Sequence, residues 1–259
     1  MLSVRRRFIF FFAAAVLVWP QFRAHAQDAR CGLTQDCLDA VDEAPVCVAW
    51  YDDLSAEVDR ISSLLLGASD VADSVNVQIL PWVRTWGVTM QNPLGGFLIG
   101  LERRVLEVMT NEHEMAFLIA HEIVHAQKDH GALRQKFFNF QDSLLNSFSA
   151  APIGVSALLA LQADFANSRN QFLLTQETEA DCRAAALMEA AGFDSSQSPM
   201  FFRRIADLRW SEKTNAPLDS RYEIVIDESA LTHGSLLTRL QRVERCSQAA
   251  QRTLAQPGL

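Results

Sequence analysis

Positive charge is scarce in this sequence: 23 lysines and arginines stand against 31 aspartates and glutamates, a formal net charge of −8. That balance gives no electrostatic case for nucleic acid, and an anionic lipid surface would repel the chain overall. No Cys-x-x-Cys pair occurs, which disfavours a zinc site built from cysteines. Internal repeats and low-complexity tracts are absent as well. No apolar run reaches the roughly 20 residues that cross a bilayer comfortably. Residues 137–165 are rich in Phe, Leu and Ala but are interrupted by Pro152 and Gly154. They read as a helical hairpin or lid, with membrane contact as the lesser alternative. What remains is ordinary globular composition, 49% apolar and 21% charged over 259 residues, enough for one good-sized core or two small ones.

The first residues differ in kind. Arg5, Arg6 and Arg7 precede an unbroken apolar run from Phe8 to Trp19, and Ala24-His25-Ala26 then offers small residues where a signal peptidase reads. The order is that of a secretory signal peptide over residues 1–26, cleaved after Ala26, with an uncleaved anchor as the alternative. Asp28, Ala29 and Arg30 before Cys31 do not make a lipidation site. Removing residues 1–26 deletes Arg5, Arg6, Arg7 and Arg23 and no acid, so the formal charge becomes −8 − 4 = −12. All five cysteines, Cys31, Cys37, Cys47, Cys182 and Cys246, lie beyond the cut. They would reach an oxidising compartment, and the expected location is the periplasm. An odd count leaves at least one thiol without an intramolecular partner, and the pairing stays open.

Residues 27–45 read as a cysteine-containing extension and 46–250 as the main domain. Leu54, Val58, Ile61, Leu64 and Leu65 recur at helical spacing within Val46 to Leu66. Val75 to Ile79 alternates with period two and predicts a strand, and Trp86 to Met90 a second one. Asn92 to Gly96 is a turn, followed by a short apolar strand, Phe97 to Gly100. Glu112 to Lys128 has no Gly or Pro; Asn111 is its N-cap, Glu112 and Glu114 suit the positive end of the dipole, and Gly131 is the expected stop. Further helices are expected from about Gln171 to Ala191, ended by Gly192, from Pro199 to Trp210, and from Leu236 to about Gln251.

The chemistry lies in His121-Glu122-Ile123-Val124-His125. On a helix, residues four apart share a face, so both imidazoles can reach one ion at about 2.0–2.1 Å. Glu122 comes off beside that ion, where it can act as general base toward the attacking water. Two surface histidines with a stray Glu would be the bland alternative. A catalytic zinc needs a third protein ligand and an open position. Glu177 and Asp181, four apart on the later helix, share a face while Glu179 points away. Glu177 is assigned to the metal and Asp181 to the other ring nitrogen of a ligand histidine.

These residues resemble the HtpX and CAAX prenyl-protease family of gluzincin zinc metallopeptidases, over about residues 46–245. Asn111, Glu112, Glu114 and Ala116 match the segment before the motif, and His130 stands five residues past the second ligand. Glu177, Glu179, Ala180 and Asp181 match the later acidic element, and Ala191-Gly192-Phe193-Asp194 follows it. Thr232-His233 with Arg239 resembles a third family segment, with Gly234 in place of the usual proline. The resemblance implies that His233 lies at the metal site, as an oxyanion stabiliser or as a plug in the open position, with Arg239 nearby. His130 is expected to cap or pack near the helix end. The family's Asn-Ala-Phe-Ala-x-Pro-Gly-Gly stretch is degraded here to Val88 through Gly96. The strand near Gly95, Gly96, Phe97 and Leu98 is expected to receive substrate by strand addition. The membrane-spanning helices of HtpX are missing, so the likeness is to compact periplasmic members.

The sequence therefore predicts an α+β, mainly α, zincin domain with a small sheet and two antiparallel ligand-bearing helices. It would bind one Zn2+ per chain and hydrolyse protein or peptide substrates. The resemblance further implies misfolded or misassembled envelope proteins as substrates, with peripheral membrane or outer-membrane assembly partners. A holdase or assembly factor with a latent site is the alternative from another class, and a structural zinc protein a third.

Overall fold

The computed structural model describes residues 44–71, 74–80, 85–149, 154–213 and 235–255. The expected signal peptide, Cys31, Cys37 and the Thr232-His233-Gly234 segment lie outside the described residues. Contacts divide the chain into two units, residues 1–57 and 58–259. Helix α1 (Ala44–Gly67) spans that division, and every element after it belongs to the second unit. Val58, Ile61 and Leu65 are buried at its predicted apolar positions, whereas Leu64 is exposed.

Three strands follow: β1 (Val75–Leu80), β2 (Gly87–Gln91) and β3 (Phe97–Glu102). Their order in the sheet is β1-β3-β2. β3 pairs parallel with β1 from Val75↔Phe97 to Leu80↔Glu102, and antiparallel with β2 from Gly87↔Leu101 to Gln91↔Phe97. The β2–β3 connection closes through Asn92 N donating to Gly96 O at 2.9 Å. Gly96 has φ 75°, and a Cβ there would lie 2.1 Å from the Ser74 carbonyl oxygen, so only glycine fits.

This order corrects the expected substrate strand. Strand addition needs an unpaired edge, and Phe97 and Leu98 sit on the central strand, paired on both sides. Gly95 and Gly96 serve the turn. The edge strand beside the later site is β2.

A short α2 (Arg103–Glu107) leads into α3 (Glu112–Gln127). The Asn111 side chain caps α3 by accepting from Glu114 N at 3.0 Å, as the sequence predicts. The buried Glu114 carboxylate in turn accepts from Thr110 N at 3.1 Å. Every residue from Glu114 to Ala126 is buried, so α3 is the axis of the core. The chain turns at Asp129, which takes φ 47°, a left-handed conformation that aspartate tolerates better than most residues. α4 (His130–Ser149) then starts at once. Gly131, expected as the stop, lies instead in its first turn.

α5 (Val155–Ala190) is 36 residues long, about 54 Å at 1.5 Å per residue. It begins 16 residues before the expected Gln171, because nothing after Gly154 breaks a helix until Gly192 (φ 87°). Its buried residues start only at Gln176. Its N-terminal half runs beside α4 as a helical hairpin, with Phe137 stacked on Phe172 at 4.5 Å and Arg169 bonded to Gln141 at 2.8 Å. A 3-10 turn (Ser195–Gln197), α6 (Ser198–Lys213) and α7 (Leu236–Ala255) complete the described fold. Ile99 and Leu101 of β3, Phe117 and Ile119 of α3, Ala184 and Met188 of α5, Phe201 and Phe202 of α6 and Val243 of α7 fill the core. No described helix is long and apolar enough to cross a membrane.

Candidate metal centre and active site

His121 and His125, one turn apart on α3, bring their Nε2 atoms within 3.0 Å of each other. Glu177 of α5 completes the triangle, with Oε2 3.4 Å from His121 Nε2 and Oε1 3.4 Å from His125 Nε2. Three ligands at about 2.0–2.1 Å around a tetrahedral centre stand about 3.3 Å apart. The separations of 3.0, 3.4 and 3.4 Å, the last two ending on different oxygens of Glu177, lie near that value, and two imidazoles with a carboxylate are a zinc-type donor set. Among the described residues these three form the cluster able to hold a metal ion. The pairings 121 with 181 and 125 with 177 show α3 and α5 running antiparallel.

A second layer orients each ligand. Asp181 Oδ1 lies 3.2 Å from His121 Nδ1, within ion-pair reach but bent away from a straight hydrogen bond. Burial alone would depress the His121 pKa, but the Asp181 and Glu177 carboxylates outweigh it and lift it from 6.5 to about 9. Burial also opposes ionisation of Asp181, yet Arg239 and His121 hold its pKa below the usual carboxylate value. Arg239 grips that carboxylate with two nitrogens, Nε at 3.1 Å and Nη2 at 2.5 Å, and reaches Glu177 Oε2 with Nη1 at 3.3 Å. Its guanidinium also stacks over Phe202 at 5.0 Å and Trp86 at 5.2 Å. Arg242 adds a contact to Asp181 Oδ2 at 3.0 Å. Arg239 is thus buried against the two site carboxylates rather than solvated.

His130 does more than cap. Its Nδ1 lies 2.8 Å from Nδ1 of His125. For His125 to offer a bare Nε2 to a metal, its proton must sit on Nδ1, and His130 Nδ1 is then the acceptor. Burial and the neighbouring His125 push the His130 pKa down to about 4, so the ring is neutral and can accept. Its carbonyl takes a bond from Gln176 at 3.1 Å. The left-handed turn at Asp129 is what returns His130 beneath His125.

Glu122, 6% exposed, opens into a cleft of about 210 Å³ shared with His121, His125, Glu177, Arg239 and the strand β2. β2 passes so close that a Cβ on Gly87 would lie 2.8 Å from Glu122 Oε1. The Thr89 hydroxyl lies 2.8 Å from Glu122 Oε2 and 2.9 Å from the Glu122 carbonyl oxygen. Sequence reasoning assigned no role to Gly87, Thr89 or Arg242. The predicted site residue His233 falls outside the described residues.

The sequence profile of peptidase family M48 matches residues 90–247, well over half of the chain. The chain belongs to peptidase family M48. That family is one of peptidases. A relative in Vibrio cholerae, described as a "Putative beta-barrel assembly-enhancing protease", is 31% identical over 106 residues, 38% of this chain and 22% of that protein. The chain thus spans about a fifth of that relative's length. No solved structure matches. The mostly helical fold with its three-stranded sheet agrees with an M48 peptidase domain. Within it, a disulfide joins Cys182, next to Asp181 on α5, to Cys246 on α7, fixing one pairing that the sequence left open.

Proposed function

We propose that this chain is a zinc endopeptidase of the bacterial envelope that cleaves misfolded or misassembled proteins. The observation that carries the reading is the triangle of His121, His125 and Glu177, with Glu122 turned into the same cleft beneath an edge strand. When bound there, a zinc ion would supply a Lewis acid that acidifies water and polarises the scissile carbonyl. Glu122 is the general base: its carboxylate takes the proton of the attacking water and delivers it to the leaving amine. Asp181, gripped by Arg239, holds the His121 ring in place, and His130 holds the His125 ring.

Substrate is proposed to add to β2. Trp86 O accepts from Glu102 N, and Asn92 N donates to Gly96 O. Antiparallel pairs alternate, so residues 88 and 90 also turn their main-chain groups toward β3. The main chain of Thr89 and Gln91 therefore faces away from β3, while Gly87 O accepts from the Thr85 hydroxyl. An extended substrate can pair with that edge and lie across the cleft.

The envelope location rests on the signal-peptide pattern of residues 1–26, and the Cys182–Cys246 bridge supports an oxidising compartment. The substrate class rests on the family resemblance and on the name of the Vibrio relative.

The test is proteolysis of an unfolded model protein by the zinc-loaded chain, alongside Glu122→Gln. Cleavage that disappears in the variant, with one zinc still bound per chain, is expected. No cleavage by either would favour a latent-site holdase, and a chain that takes up no zinc would refute the metal assignment.

A further inference from the structure

Glu122 needs more than proximity to serve as a base: its carboxylate must hold one orientation before and after it takes a proton. Among the described residues, Thr89 is the one hydrogen-bond donor to that carboxylate. The Thr89 hydroxyl has a single proton and two acceptors within reach, Glu122 Oε2 at 2.8 Å and the Glu122 carbonyl oxygen at 2.9 Å. The second acceptor belongs to the α3 backbone and stays put whatever the carboxyl group does. Gly87, two residues earlier on the same face of β2, leaves the space into which the carboxylate fits.

We propose that Thr89 is a positioning residue for the general base, a hydroxyl whose bond to Oε2 holds the Glu122 carboxylate in one orientation and leaves its other oxygen to the attacking water. With Glu122 ionised, the hydroxyl donates to Oε2. The proton of the attacking water goes to the other carboxyl oxygen, so the hydroxyl keeps donating to Oε2. The proton taken from water stays on Glu122 until the leaving amine receives it, and Thr89 neither gains nor loses one. Among the described residues, the main chain of the same residue lies on the unpaired edge of β2. One residue therefore couples the substrate strand to the base and fixes the distance between them. The inference rests on the peptidase reading above and specifies how its base is held.

Thr89→Val keeps the β-branched shape and removes the hydroxyl; Thr89→Ser keeps the hydroxyl. With the zinc-loaded chain and an unfolded protein substrate, Thr89→Val should lower kcat about 10- to 100-fold, the span of one hydrogen bond to a charged group. KM should stay within about twofold and metal content unchanged. Thr89→Ser should recover most of kcat, and in a Glu122→Gln background Thr89→Val should change little further. An unchanged kcat in Thr89→Val would overturn the proposal. So would a loss carried by KM alone, which would assign the residue to substrate binding. Crystal structures of the two variants give a readout independent of turnover. The Glu122 carboxylate should swing away or split into several rotamers in Thr89→Val and keep its place in Thr89→Ser. A carboxylate that stays in place in both refutes the positioning role even if the parent chain cleaves nothing. A wild-type chain without proteolysis but with this displacement would instead count against the peptidase reading alone.

Discussion

Replacing Arg239 by methionine removes the guanidinium from the support layer while keeping most of the stem that packs against Trp86 and Phe202. Three of its nitrogens contact Asp181 and Glu177 at 2.5–3.3 Å, with Arg239 2% exposed and Asp181 fully buried. Losing one partner of a buried ion pair costs about 3–5 kcal/mol, because the other charge is left in a medium that solvates it poorly. Asp181 keeps Arg242 at 3.0 Å and His121 at 3.2 Å, so the lower end applies, about 3 kcal/mol. For a domain of this size that corresponds to a Tm fall of about 6–12 °C. On the proposed reading Asp181 also holds the His121 ring, and disturbing such a partner weakens metal binding by about 10- to 100-fold. Urea unfolding of the metal-free chain measures the first effect, and competition with a chelator of known affinity measures the second. Arg242→Met, which removes one contact to a better-hydrated side chain, should cost less than about 1.5 kcal/mol. A methionine variant destabilised by under about 1 kcal/mol with unchanged metal affinity would refute the argument that Arg239 anchors the site.

Other consequences follow from the same contacts. Gly87→Ala should lower kcat at least about tenfold with Tm within about 2 °C, since the new Cβ meets the movable end of Glu122 rather than backbone; full activity would show that the close approach is unimportant. Below pH 9, metal must displace a proton from His121, so metal affinity should rise with pH by up to about tenfold per unit and level off near 9. Affinity that does not change between pH 7 and 9 would contradict the raised pKa. In the metal-free chain the same group contributes stability that is fully present below pH 6.5 and lost as pH rises through about 9. Reducing Cys182–Cys246 opens a loop of 64 residues; chain entropy sets the loss at about 4 kcal/mol, readable as a lower urea midpoint in dithiothreitol, and an unmoved midpoint would refute it.

The parts of this fold legible in the sequence are those set by local periodicity. β1 alternates, α3 carries its cap and its breaker-free run, and Gly192 marks the end of α5, so each was found within a few residues. The start of α5 was missed because composition shifts near residue 170 while nothing there stops a helix. The exchange of edge and central strand has a different cause. Strand order depends on β1 crossing to pair with β3, and no local signal states that. The side chains still carried a hint: Phe97-Leu98-Ile99-Gly100-Leu101 is continuously apolar, as buried central strands are, whereas Thr89 and Gln91 break the apolar character of β2.

The site divides along the same line. His121, His125 and Glu122 lie on one turn of one helix, and Glu177 and Asp181 on one turn of another, so helical geometry alone brings each pair to a face. The value of the remaining groups exists only after packing. Arg239 is an ordinary helix charge until α7 docks on α5, and family resemblance alone marked it beforehand. His130 becomes a partner of His125 through a left-handed Asp129, and Thr89 reaches Glu122 across 33 residues because β2 lies over α3. Helical spacing thus sets which atoms can meet an ion, and tertiary contact sets how those atoms are aimed. Catalysis by a fixed base and fixed ligands depends on aim to within about half an ångström. The most informative substitutions are therefore at Thr89, Gly87, His130 and Arg239, which would leave the His-Glu-x-x-His motif intact and test whether the motif alone suffices.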